Sequence, residues 1–159
     1  MSGELEARIS KVEAIQEIKN LQARYAYLID TKQGGKVPDL FADNFIAEYD
    51  YMGTYKTKAE LGGFLTAAGG AAPLFIHQML TPLIELDGDK AKGTWYLFAL
   101  FTVTYPEGPV GGWAQGKYEN DYVKEDGKWK FKHLRFKFTL QTPYEDGWVK
   151  TPMKKFPGF

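Results

Sequence analysis

The chain has 159 residues, enough for one domain with a sizeable core, and its 44% apolar and 16% aromatic content is that of a folded protein. Twenty basic residues balance twenty acidic ones, so no net field steers the molecule to nucleic acid or to an anionic membrane. There is no cysteine, which excludes disulfides and thiol catalysis. The opening MSGELEARIS lacks the apolar stretch of a secretory signal and no run is long enough to span a membrane, so a soluble, cytoplasmic protein is expected.

From about Glu4 to Ile29, apolar residues recur at steps of three and four (Leu5, Ile9, Val12, Ile15, Ile18, Leu21, Tyr25, Leu28), the period of a long amphipathic helix. Gly34 and Gly35 in DTKQGGK are expected to stop it, and Pro38 in VPDLFADNF to open a short helix. NFIAEYDY reads as a strand. TKAE, Thr57 to Glu60, has the spacing of a capping box, so a helix should follow Thr57 and close at AAGGAAP. Residues 74–86, 90–105, 113–124 and 129–141 read as strands separated by the turns DGD, PEGP and EDGK, and 142–159 form a tail.

Helices first and a meander of strands last predict an α+β domain, with helices on one face of an antiparallel sheet. The strands around His77 and Trp95 carry apolar residues on both faces (Phe75, Ile76, Met79, Leu80; Leu97, Leu100, Phe101, Val103), so the second face needs cover and a homo-oligomer is expected.

His77, in PLFIHQMLTP, is one of two histidines. A buried imidazole needs a hydrogen-bond partner, and as an isolated feature it is more often structural than catalytic. Asp30 closes the first helix, where a carboxylate opposes the macrodipole at a cost of about 0.3–1 kcal/mol. It either starts the turn DTKQGG or accepts a donor such as the His77 imidazole, fixing its tautomer and orientation. Tyr25 and Tyr27 lie on the last turns of the helix, while Tyr49 and Tyr51 share parity on the next strand; their hydroxyls could hold a carbonyl oxygen or simply pack at boundaries. In WKFKHLRFKF, period two puts His133, Arg135 and Lys137 on one face and Leu134, Phe136 and Phe138 on the other. This is a half-solvated strand rather than a nucleic-acid surface. No metal-ligand spacing, phosphate loop or GxSxG elbow is present, so a cofactor-free, metal-free mechanism is expected by elimination.

A helix ending in YAYLID, a His-bearing strand, the strand KGTWYLFA and the closing GKYENDYVKEDGKWKFKHLRF together resemble the SnoaL-like family of the nuclear transport factor 2-like superfamily. Within it the pattern is most similar to the scytalone dehydratase and bile-acid 7α-dehydratase group. Asp30, His77, Tyr25 and Tyr51 fall on that group's site positions. The second histidine of scytalone dehydratase has no counterpart here, and the bile-acid enzyme's late-strand arginine falls near Phe138. The resemblance implies a single domain, 1–159, with a cone-shaped, curved antiparallel or mixed sheet wrapped around the long helix and short helices. It also implies a deep apolar pocket and dimers or trimers. The expected function is a cofactor-independent dehydratase of a steroid-like, aromatic or polyketide-like substrate, with Asp30, His77, Tyr25 and Tyr51 catalytic and Trp95, Phe138 and Tyr49 binding substrate. An isomerase or cyclase, or a non-catalytic binding module, are the alternatives. The tail, with Trp148, Phe156 and Phe159, is expected over the pocket mouth or a neighbouring subunit.

Overall fold

The three-and-four spacing of residues 4–29 produces helix α1 (Ser2–Asp30) in the computed structural model, which describes residues 2–156. Only its second half is packed: Ile18, Leu21, Gln22, Tyr25 and Ala26 are buried, whereas Leu5, Ile9 and Val12 on the same stripe are exposed. The stop comes earlier than the glycines. The Lys32 N–H donates to Ile29 O and the Gln33 N–H to Leu28 O, a left-handed C-terminal turn with Lys32 at φ 62°. Gly34 has another job, because a Cβ there would lie 2.6 Å from the Leu65 carbonyl oxygen. The following 3₁₀ helix spans Gly34–Leu40, so Pro38 lies inside it rather than at its start.

Strand β1 (Phe41–Tyr49) leads into a 3₁₀ turn (Asp50–Met52), a two-residue strand β2 (Thr54–Tyr55) and helix α2 (Lys58–Ala71). Both halves of the capping box form: Thr57 Oγ1 accepts the Glu60 N–H, and Glu60 Oε2 accepts the Thr57 N–H. The glycines of AAGGA do not end α2; they lie within it.

Four long strands follow: β3 (Leu74–Asp87), β4 (Lys90–Tyr105), β5 (Gly108–Glu125) and β6 (Lys128–Pro143). The sheet order is β2-β1-β6-β5-β4-β3, with β1 parallel to β6 and all other pairs antiparallel. The result is a mixed six-stranded sheet with the long helix on its inner face, the α+β cone expected. Bulges keep the inner face apolar. The β5–β6 register shifts between Asp121 and Tyr122, so burial passes from Trp129 and Phe131 to Leu134 and Phe136 without exposing either pair.

The core lies between this inner face and the helices. Each large side chain it hides contributes about 1.5–3 kcal/mol. Along β5 the inward positions are small: Gly112, Ala114 and Gly116 precede Tyr118. At Gly116 a Cβ would lie 2.5 Å from the Phe136 ring, so the neighbouring aromatic sets that residue's size. The Phe101 and Phe136 rings fill the space over Gly112 and Gly116, and of the three small residues only Ala114 borders the part of the interior left unfilled. The outer face carries exposed Leu74, Ile76, Leu80 and Leu83 on β3 and Tyr96 on β4.

Candidate active site

The unfilled interior is an apolar cavity of about 660 Å³ of empty space, its open mouth included. Phe75, Leu97, Phe101, Ala114, Phe136 and Phe138 line it from the sheet, and Phe64, Leu65 and Ala68 from α2. Its polar groups are few: His77, the hydroxyls of Tyr25, Tyr49 and Tyr118, Gln141 and Lys32.

Asp30 and His77 meet. The His77 Nδ1 lies 2.6 Å from Asp30 Oδ1, and the His77 backbone N–H donates to Asp30 Oδ2 at 2.9 Å. A carboxylate only accepts, so the short contact places a ring proton on Nδ1, and the neutral ring then carries its lone pair on Nε2. The imidazole is also flanked by Phe75, with ring centroids 4.3 Å apart, and its side chain is only 6% exposed. Asp30 thus holds backbone and ring together, and the carboxylate at the end of α1 has two donors to set against the macrodipole.

Tyr25 donates to the Tyr49 hydroxyl at 3.1 Å, and its oxygen is 3.5 Å from that of Tyr118. With Tyr25 donating to Tyr49, the order Tyr118→Tyr25→Tyr49 leaves the Tyr49 hydroxyl hydrogen free for the cavity. Burial raises the pKa of all three well above the ordinary tyrosine value, so they are neutral donors at physiological pH. The Asp30 charge nearby pushes Tyr118 in the same direction.

Not every expected residue reaches this space. Tyr51 does not line the cavity: its hydroxyl donates to Gln141 Oε1 at 2.7 Å and accepts the Phe156 N–H at 3.4 Å. The shared parity with Tyr49 fails because Asp50, at φ 45°, turns the chain into the 3₁₀ segment. Trp95 is buried on the inner face but two residues beyond Leu97, about 7 Å further along the strand and outside the cavity. Its indole N–H donates to the Tyr122 hydroxyl, in a network with Gln22 and Asn120 that ties α1 to the sheet. Phe138 and Tyr49 do line the cavity. His133 lies beside Glu48, and Arg135 pairs with Asp121, both away from it. Tyr118, Gln141 and Lys32 are cavity residues that the pattern of the sequence did not single out. Among the described residues no three His, Asp or Glu side chains cluster as metal ligands.

The tail returns to the same end of the sheet. Lys154 N–H donates to Gln141 O, Gln141 N–H donates to Pro152 O, and the buried Phe156 ring stands edge-on to Phe101 at 4.9 Å. Trp148 remains half exposed against Trp113, 5.2 Å away. Phe159 lies outside the described residues. No helix among them is long and apolar enough to cross a membrane.

A mixed, curved sheet closed over a long first helix around an apolar hollow is the cone of nuclear transport factor 2-like proteins, and solved structures share it. A scytalone dehydratase-like protein from Novosphingobium aromaticivorans matches with a TM-score of 0.77 at 20% identity, over 86% of this chain and 91% of that one. A hexachlorocyclohexane dehydrochlorinase, LinA type 2, matches with a TM-score of 0.77 at 21% identity, over 96% of this chain and 99% of that one. LinA-type3 from Novosphingobium barchaimii matches with a TM-score of 0.76 at 23% identity, over 86% and 93%. The family model described as SnoaL-like domain matches residues 10–135, and the chain belongs to that family.

Proposed function

We propose that the protein is a cofactor-independent lyase, which eliminates water from a hydrophobic, ring-containing substrate bearing a carbonyl or phenolic group. The observation that carries this reading is the Asp30–His77 pair, with its Nδ1–H engaged at 2.6 Å and its ring lining an apolar cavity. In that setting Nε2 takes the proton from the carbon α to the carbonyl, and the electron pair moves into the enolate. Tyr49, backed by Tyr25 and Tyr118, donates to the oxygen as charge builds there. The enolate then expels the β-hydroxyl, which leaves as water with the proton from Nε2. Since one base both takes and returns the proton, the two groups depart from the same face. General acid–base help of this kind is worth about 10²–10⁴-fold. The folds it resembles include proteins named for a dehydration and for a dehydrochlorination, both eliminations.

The same reading gives the tail the role of a cover, held by Gln141 and Tyr51 at the Phe101 end of the cavity. The apolar outer face of β3 and β4 is then where copies of the chain associate as a dimer or trimer. The experiment is incubation with a panel of cyclic β-hydroxy ketones in D₂O, with water loss and deuterium uptake followed by mass spectrometry. Elimination by the native protein and none by a folded His77→Ala protein is expected. Deuterium uptake without water loss would point instead to an isomerase, and equal activity in the His77→Ala protein would reject the base.

A further inference from the structure

Lys32 is the one formally cationic side chain among the described residues lining the cavity, and no carboxylate lines it. The residue occupies a costly position. At φ 62° it closes α1 through the Lys32 N–H to Ile29 O and Gln33 N–H to Leu28 O bonds, a place where glycine is the ordinary choice. Glycines stand two and three residues later, so lysine here runs against the local backbone preference. Its stem lies along the Gly69 edge of α2, where a Cβ would meet Lys32 Cδ at 3.8 Å. The amine donates to Ala72 O at the end of that helix. An ammonium has three donors, and this neutral acceptor uses one. No carboxylate among the described residues comes within 4 Å of it, and Asp30, two residues away, has both oxygens engaged by His77. Lys32 thus stands solvent-exposed at the mouth of an apolar cavity with no carboxylate partner, a placement that suits recognition of an anion carried by a ligand in the cavity.

We propose that Lys32 determines specificity, by holding an anionic group such as a carboxylate at one end of the hydrophobic molecule in the cavity. The proposal rests on the cavity being the substrate site. The plain structural alternative is that the amine merely caps the carbonyl end of α2, a role that affects stability and is blind to ligand charge.

Two fluorescent probes with the same rings separate these roles: 8-anilinonaphthalene-1-sulfonate and its neutral parent, N-phenyl-1-naphthylamine. Each is titrated into the native protein and into the Lys32→Met, Lys32→Arg, Lys32→Gly and Ala114→Leu variants, with a thermal melt for each. Lys32→Met and Lys32→Gly weaken the sulfonate about tenfold and leave the neutral probe near its native affinity, whereas Lys32→Arg retains both. Lys32→Gly, suited to the left-handed turn, keeps the fold even if Lys32→Met does not. Ala114→Leu, which fills the cavity floor, weakens both probes. Native sulfonate affinity in the Lys32→Met and Lys32→Gly proteins, or equal losses for both probes, overturns the proposal while leaving the cavity as the site. Failure of both probes to bind, or indifference to Ala114→Leu, overturns the cavity reading and this proposal with it.

Discussion

Replacing Asp30 by Asn keeps the shape of the side chain and changes only what it offers His77. The carboxylate now accepts two donors, the ring Nδ1–H at 2.6 Å and the backbone N–H at 2.9 Å. An amide has one oxygen. If that oxygen stays on Nδ1–H, the NH₂ confronts the His77 backbone N–H and leaves a donor without an acceptor, at about 1–3 kcal/mol. If the oxygen takes the backbone N–H instead, the NH₂ donates to a deprotonated Nδ1 and both contacts survive. The second arrangement moves the ring proton to Nε2, the atom that must act as base. An advantage of about 1–3 kcal/mol favours this unreactive tautomer by about 5–150-fold. Turnover should therefore fall by about the same 5–150-fold, at or below the lower end of what general base catalysis can supply. The assay pairs elimination kinetics with the nitrogen chemical shifts of the His77 ring, which report the protonated nitrogen without needing turnover. A native Nδ1–H tautomer that becomes Nε2–H in the Asp30→Asn protein, with activity lost, is expected. Near-native elimination by a ring protonated on Nε2 would refute the reasoning.

Other consequences can be measured independently. Tyr49→Phe removes the terminal donor and should lower kcat about 10²-fold, whereas Tyr51→Phe should leave kcat near native and speed hydrogen exchange in residues 152–156. Burial raises the pKa of Tyr25, Tyr49, Tyr118 and Tyr122 above 10.0, so in the folded state they stay protonated while the unfolded chain ionises. Their contribution is complete below pH 10 and declines as pH rises beyond it, by about 1.4 kcal/mol per pH unit for each tyrosine. These four should ionise only together with alkaline unfolding, and gradual titration of all ten tyrosines in a folded protein would contradict their burial. Light scattering should find a dimer or trimer that Ile76→Lys with Leu80→Lys dissociates. A monomeric native protein would remove that role from the outer face.

Much of the architecture is legible in local pattern. The three-and-four spacing of α1, the Thr57–Glu60 capping box and the β4 span Lys90–Tyr105 are short-range features, and the structure contains each. The pairing of Asp30 with His77 is different, because 47 positions separate them in the chain. Their residue types suggested a pair, and only the resemblance favoured it. What period two cannot carry is a change of parity. Asp50 at φ 45° turns Tyr51 away from the face that Tyr49 occupies, and the bulge near Lys132 shifts the inward set of β6. Trp95 and Tyr118 show the same limit in another form. Both are inward-facing, but only the register of β4 against β5, with Trp95 opposite Tyr118, and the packing of α1 decide which one borders the hollow. Lys32 was hidden because a lysine at a left-handed helix end has no signature in the sequence.

The central claim is that the His77 ring itself moves the proton, and imidazole rescue addresses it most directly. Removing the side chain in His77→Ala leaves a space beside Asp30 of the size of the lost ring. Supplying free imidazole to that protein should restore elimination in a saturable manner that follows the neutral base and disappears when Asp30→Asn is added. Full elimination by His77→Ala without imidazole would contradict the account.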